Sequence, residues 1–222
     1  MKKLIASLLG LSLCGAPVFA DPEVKFYTAD ALGCMKVGDC RDDVHRITDI
    51  SQLIDHYDDS WISDNKQELT ELIKRLNDIN VELYVGHQRY FMSGQRAVYY
   101  IDVNRIYMND LYGNLFERFL ASLRHEGWHA AQDCMAGSLD NSLIAIIFDD
   151  ELIPRDYKLM ADLRYRFFAP NSIPWESEAI WAEEKPYMTA KALKACATGE
   201  MWKVYEPTPK TREWLIKEGY LK

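Results

Sequence analysis

Apolar positions recur at helical spacing in three stretches of the chain. Residues 63–68 read as a helix start, and Leu69, Leu72, Ile73 and Leu76 then repeat every three or four residues. Residues 115–135 form the longest such run. Phe116, Leu120, Leu123, Gly127 and Ala130 fall on one face, which is expected to pack on a sheet. Arg118, Ser122, His125, His129 and Gln132 fall on the other, which is expected to open on a cleft. Gly127 costs about 1 kcal/mol of helix stability relative to Ala, and its missing side chain is expected to bring the helix close to the strands. A third helix opens at Ser172-Ile173-Pro174, with Ser172 as its cap, and Pro186 ends or kinks it. Shorter helical stretches cover residues 157–168, 189–196 and 211–218, and a further short helix lies within 43–57.

Alternating positions are fewer. Residues 81–85 read as a strand. Residues 97–108, rich in Tyr, Val and Ile and broken at 102–105, read as a hairpin or two short strands. Residues 21–43 show no period. The pattern predicts an α+β fold: a small, mostly antiparallel sheet packed on the 115–135 helix, with a later helix rich in glutamate. Residues 21–62 are expected to be an irregular N-terminal segment and 63–222 the main domain. A chain of 222 residues has ample length for one such core.

The first twenty residues follow another pattern. Lys2 and Lys3 precede an apolar run, and Val18 and Ala20 stand before Asp21 as small residues do at a cleavage site. This predicts a secretory signal peptide over 1–20. A membrane anchor is the competing reading, but the apolar run is short for a span. A secreted or periplasmic protein with no stable membrane insertion is expected. Loss of Lys2 and Lys3 takes the net charge from −8 to −10, which argues against a nucleic-acid partner. It also removes Cys14 and leaves Cys34, Cys40, Cys134 and Cys196. Four cysteines in an exported chain suggest two disulfides. Of three connectivities, Cys34–Cys40 with Cys134–Cys196 is preferred, since the second would tie the end of the long helix to a later one.

The long helix carries the most specific chemistry. Residues 125–129 read His-Glu-Gly-Trp-His. One turn apart, His125 and His129 can reach one tetrahedral Zn²⁺, and Glu126 can act on a water in the open fourth position. The other histidines, His45, His56 and His87, all precede the motif, and Met135 stands where an extended HExxHxxGxxH motif would place a third. A downstream carboxylate is therefore expected as third ligand. Glu176 is the first choice; Glu178, Glu183 and the acids at 149–151 remain alternatives. Glu178 lies about 200° round the helix from Glu176, so the two cannot face one metal together.

The spacing His125-Glu126-x-x-His129, followed by Glu176-Ser177-Glu178-Ala179, resembles the gluzincin metallopeptidases, in which a glutamate in an ExxA context completes the site. The resemblance covers roughly residues 81–187. It implies a zincin-like fold, zinc-dependent hydrolysis of a peptide or protein substrate, Glu176 as ligand and Glu126 as general base. Many such proteins carry an acid or amide after that alanine to support a zinc histidine; Ile180 stands there instead. The string from Arg124 to Gln132 also looks like that of secreted minimal zincins whose helix continues His-x-x-Gln.

Catalysis also needs an oxyanion donor, for which Tyr165 and Tyr187, flanking the glutamate helix, are candidates. Trp128 is expected to pack on the sheet or a loop. His87, Tyr99 and Tyr100 are candidates to line a cleft along an edge strand. The competing function is a secreted zinc-binding or protein-binding module without proteolytic activity.

Overall fold

The computed structural model describes residues 29–38, 40 and 43–222; the expected signal peptide lies outside them. The elements run α1 (Ala29–Val37), β1 (Val44–Ile47), α2 (Ile50–Tyr57), α3 (Lys66–Asp78), β2 (Glu82–Gly86), β3 (Ala97–Tyr100), β4 (Arg105–Asn109) and the single turn α4 (Asp110–Gly113). Then come α5 (Phe116–Met135), α6 (Arg155–Tyr165), α7 (Ile173–Glu183), α8 (Met188–Ala197), α9 (Met201–Val204) and α10 (Pro209–Lys217). The class is α+β.

The strands are ordered β1-β2-β4-β3. β1 with β2 and β3 with β4 are antiparallel, but β2 and β4 are parallel. The sheet is therefore mixed, with two of its three pairings antiparallel, as a mostly antiparallel sheet requires, and one parallel pairing that was not expected. The 97–108 hairpin forms as expected, its turn closed by Asn104 at φ 54°. It docks on β2 through its second strand, so β3 is left at the edge. That placement sets β3 beside α5.

Strict alternation along β2 and β4 gives the sheet two apolar faces. Leu83, Val85, Ile106 and Met108 join Leu69, Leu72 and Leu76 of α3 and Phe116, Leu120 and Leu123 of α5 in the main core. Tyr84, Tyr100 and Tyr107 point to the other face, where Tyr84 stacks on Tyr107 at 4.7 Å. α1 covers that face. Its Met35 is fully buried there, its last carbonyls accept from Tyr107 Oη and Arg105 Nη1 at 2.7 Å each, and Cys34–Cys40 closes its end. The N-terminal segment is thus part of the fold: it supplies an edge strand and a cover. Three tyrosines at alternate positions left that second face looking polar in the sequence, although their rings need burial.

α5 is enclosed along most of its length because α7, α8 and β3 all pack on it. Gly127 faces α8 and not the strands. A Cβ there would stand 2.9 Å from Thr189 Cγ2. The Thr189 hydroxyl donates to Arg124 O at 2.8 Å, which holds that methyl in place. Cys134–Cys196 ties the end of α5 to α8, as expected. With a sequence separation of 62, closing that loop is worth about 4 kcal/mol in the chain-entropy account. Pro174 sits in the first turn of α7, but the Ser172 hydroxyl donates backwards to Ala169 O and does not cap the helix.

Candidate metal centre

α5 presents His125 and His129 on consecutive turns, with ring centroids 5.0 Å apart. The first turn of α7 brings Glu176 against them. Glu176 Oε2 lies 3.4 Å from His125 Nε2 and 3.7 Å from His129 Nε2. Ligand atoms around a tetrahedral zinc with bonds near 2.0–2.1 Å stand about 3.3 Å apart. Both distances are close to ligand spacing without a hydrogen bond accounting for them, and the three ligand atoms all lie within 4.8 Å of one another. Glu176 Oε2 is itself buried with no hydrogen-bond partner. His125, His129 and Glu176 form a group that can hold a metal ion.

Each imidazole is oriented from behind. Gln132 Nε2 donates to Glu178 Oε2 at 2.7 Å and to Trp175 O at 3.0 Å, which fixes the amide. Its Oε1 then faces His129 Nδ1 at 2.8 Å, so Nδ1 carries the hydrogen and Nε2 keeps its lone pair for a cation. His125 Nδ1 lies 3.5 Å from Glu183 Oε2, and Arg96 Nη2 holds the other oxygen of Glu183 at 2.7 Å.

These contacts decide the alternatives. Glu178 turns away from the group into a cage of donors: Ile147 N, Phe148 N, Gln132 Nε2 and Trp128 Nε1. Burial pushes its carboxyl up to about 7 against the pull of those N–H groups. Glu183 backs His125 rather than joining the group. The acids at 149–151 are exposed and do not reach it. Ile180 is buried and apolar; the orienting task it lacks the chemistry for falls to Gln132. Gln132 and Glu183 were not assigned these roles from sequence. Gln132 follows His129 by three residues and Glu183 follows Glu176 by seven, spacings that put each pair on one helix face.

Isosteric loss of the Gln132 contacts tests this arrangement. Gln132→Met is expected to weaken zinc affinity by about 10- to 100-fold in competition with a chromophoric chelator. Unchanged affinity would show that Gln132 does not orient His129.

Three carboxylates converge on two imidazoles in a buried space, so the site attracts positive charge. Burial alone would lower His125, but the facing carboxylates of Glu176 and Glu183 and the charge of Glu126 outweigh it and hold the imidazole up at about 10. Burial works to raise Glu176, yet the histidines pull it down to about 2. Glu126 is pushed up, chiefly by burial, against the pull of both histidines and of the Tyr99 backbone N–H. A metal binding here must displace the His125 proton.

Glu126 and His125 open on a cleft of about 570 Å³ walled by Ala97 of β3, the preceding 92–96 loop, Ser122, and Tyr165 and Phe168 at the end of α6. Asn109 fixes that loop, its Nδ2 donating to Gln95 O at 2.8 Å. Tyr165 lines the cleft near Glu176, whose charge, after burial, raises the phenol. Tyr187 does not: its ring is exposed, and its backbone N–H serves the buried Glu68. Comparisons with protein-family models, with curated proteins and with solved structures find no match.

The expected edge-strand lining is also redrawn. His87 caps a short turn, and Tyr100 belongs to the second core. Trp128 is fully buried, stacked on Phe148 of the 143–148 loop. The Tyr99 hydroxyl points to Asp133 Oδ2 and Asn104 Oδ1 at 2.8 and 2.9 Å. Asn104 Nδ2 donates to Leu139 O, so Asn104 Oδ1 is an acceptor. The phenol hydrogen is shared between these two acceptors. Burial, and after it Asp140, push the Asp133 carboxyl up to about 7 against the Tyr99 hydrogen bond.

Between the ordinary value of 3.8 and about 7 the folded chain holds one proton more at Asp133 than the unfolded chain does. Stability from this group is thus full below 3.8 and lost as pH rises through 7, by up to about 1.4 kcal/mol per pH unit. Asp133→Asn is expected to flatten that part of the profile in urea titrations with chelator present. Parallel profiles for the two proteins would contradict it.

Proposed function

We propose that the protein is an exported zinc metallopeptidase with a zincin-like arrangement, hydrolysing peptide bonds with Glu126 as general base. The observation that carries this reading is the convergence of His125 Nε2, His129 Nε2 and Glu176 Oε2 beside Glu126, at the wall of a cleft bordered by an edge strand. Two imidazoles and one carboxylate with room for a fourth ligand are the donor set that suits catalytic zinc, whereas structural zinc is closed by four protein ligands. Zinc held there supplies Lewis acidity, polarising a carbonyl and acidifying water.

The chain's own residues do the rest. Glu126, raised by burial and steadied by the Tyr99 N–H, takes a proton from the attacking water and returns it to the leaving amine. Tyr165, beside Glu176, is placed to donate to the developing oxyanion. Asn109 N donates to Arg96 O, so by alternation Ala97 faces outward and offers its backbone to an extended peptide. The two disulfides are compatible with a secreted protein, as is the lack, among the described residues, of a helix long and apolar enough to cross a membrane.

The test is turnover of a mixed peptide library, read by mass spectrometry, before and after chelation and on zinc return. Cleavage lost on chelation and restored by zinc is expected. Stoichiometric zinc without cleavage of any peptide would instead favour a binding module.

A further inference from the structure

The cleft lining is less acidic than the chain as a whole. The protein has 34 acidic residues against 26 basic ones, whereas among the described residues lining the cleft Glu126 is the one acid, beside Arg96 and Arg164. Arg96 is already committed to Glu183 at 2.7 Å. Arg164, exposed in the last turn of α6, has no carboxylate or hydrogen-bond partner among the described residues, and it lines the cleft beside Tyr165, whose phenol feels its charge. Across from α6, Ser122 lies one turn before Glu126 on α5. Its side chain is only 4 % exposed and its Oγ is buried with no partner. A hydroxyl so placed is costly unless something brought into the cleft pairs with it. A free guanidinium and an unpaired buried hydroxyl thus line one space, and both donate.

We infer that this cleft reads a carboxylate on the substrate, with Arg164 as its cation and Ser122 as its buried donor. The inference deepens the peptidase reading and rests on it for the location of the scissile bond. On the peptidase reading a substrate strand runs from the reacting bond towards Ala97 and the 92–96 loop, which line the same cleft as Glu126. The carboxylate then sits near the bond cut, since Arg164, Ser122 and Glu126 line one cleft. It belongs either to an aspartate or glutamate side chain or to the chain terminus of a short peptide. Met92 and Phe168, both exposed at the cleft rim, leave apolar surface for a neighbouring residue.

Binding separates this from catalysis. Zinc-loaded, disulfide-bonded Glu126→Gln protein is titrated by fluorescence anisotropy with labelled peptides of one sequence. These carry Glu or Gln at each position flanking the expected bond, and end in a free acid or an amide. A single carboxylate is expected to tighten Kd by about tenfold, about 1.4 kcal/mol. The position that does so identifies a side chain or the terminus as its source. Adding Arg164→Gln should collapse the ratio towards one, Arg164→Lys should restore part of it, and Ser122→Ala should lower it. Equal binding of acidic and neutral peptides, or a ratio unmoved by Arg164→Gln, overturns the inference. If the carboxylate is bound selectively but wild-type protein cuts none of the peptides, the peptidase reading fails alone. If wild-type protein cuts them without regard to charge, the carboxylate inference fails alone.

Discussion

Glu126→Gln is expected to lower kcat/KM for peptide hydrolysis by about 10²- to 10⁴-fold, while zinc stays bound with affinity changed no more than severalfold. The amide keeps the shape of the side chain but cannot take a proton from water. Glu126 is not in the group that can hold the metal, so binding should survive. Steady-state cleavage and zinc competition on the same preparation check both halves. Residual activity above a tenth of wild type would remove Glu126 from the role of base, and lost zinc would mean that the carboxylate holds the metal instead.

Glu68→Ala is expected to cost the largest share of stability, about 3–5 kcal/mol. Glu68 is fully buried on α3. Its two oxygens take Arg124 Nε at 2.8 Å and Nη2 at 2.5 Å, and Oε1 also accepts the Tyr187 N–H at 2.6 Å. Arg124, next to His125 on α5, also donates to Glu183 O at 3.2 Å. Removing Glu68 strands a guanidinium with little water to replace the carboxylate, at the junction of α3, α5 and the turn into α8. That is a large fraction of the roughly 5–15 kcal/mol that holds an ordinary domain together. Urea denaturation measures it. A loss under about 1 kcal/mol would mean that the junction relaxes to solvate Arg124.

Local periodicity made much of this legible. The phase of α5 put His125 and His129 on one face, the position of Glu176 in its helix turned it toward them, and the cysteine count gave both disulfides. What the sequence hid depends on contacts between distant segments. The parallel pairing of β2 with β4 is a choice between two strands of one hairpin, and nothing within 97–108 reveals which one docks. Glu178 could be set apart from Glu176 by rotation, but its cage is built from Ile147 and Phe148, thirty residues earlier. Gly127 looked like a close approach to strands because nothing local announces that α8 returns across α5. Tyr187 and Tyr165 flank the same helix in sequence. Only the course of the chain shows that one turns out to solvent and the other lines the cleft near Glu176.

The central claim is that His125, His129 and Glu176 hold zinc in a catalytic arrangement. Anomalous diffraction at the zinc edge from crystals grown with zinc tests it most directly. One peak is predicted, about 2.0–2.2 Å from both Nε2 atoms and a Glu176 oxygen, with a fourth position open toward Glu126. The claim is contradicted if there is no peak at that point, or if the ion is completed by Glu178 or by a fourth protein ligand.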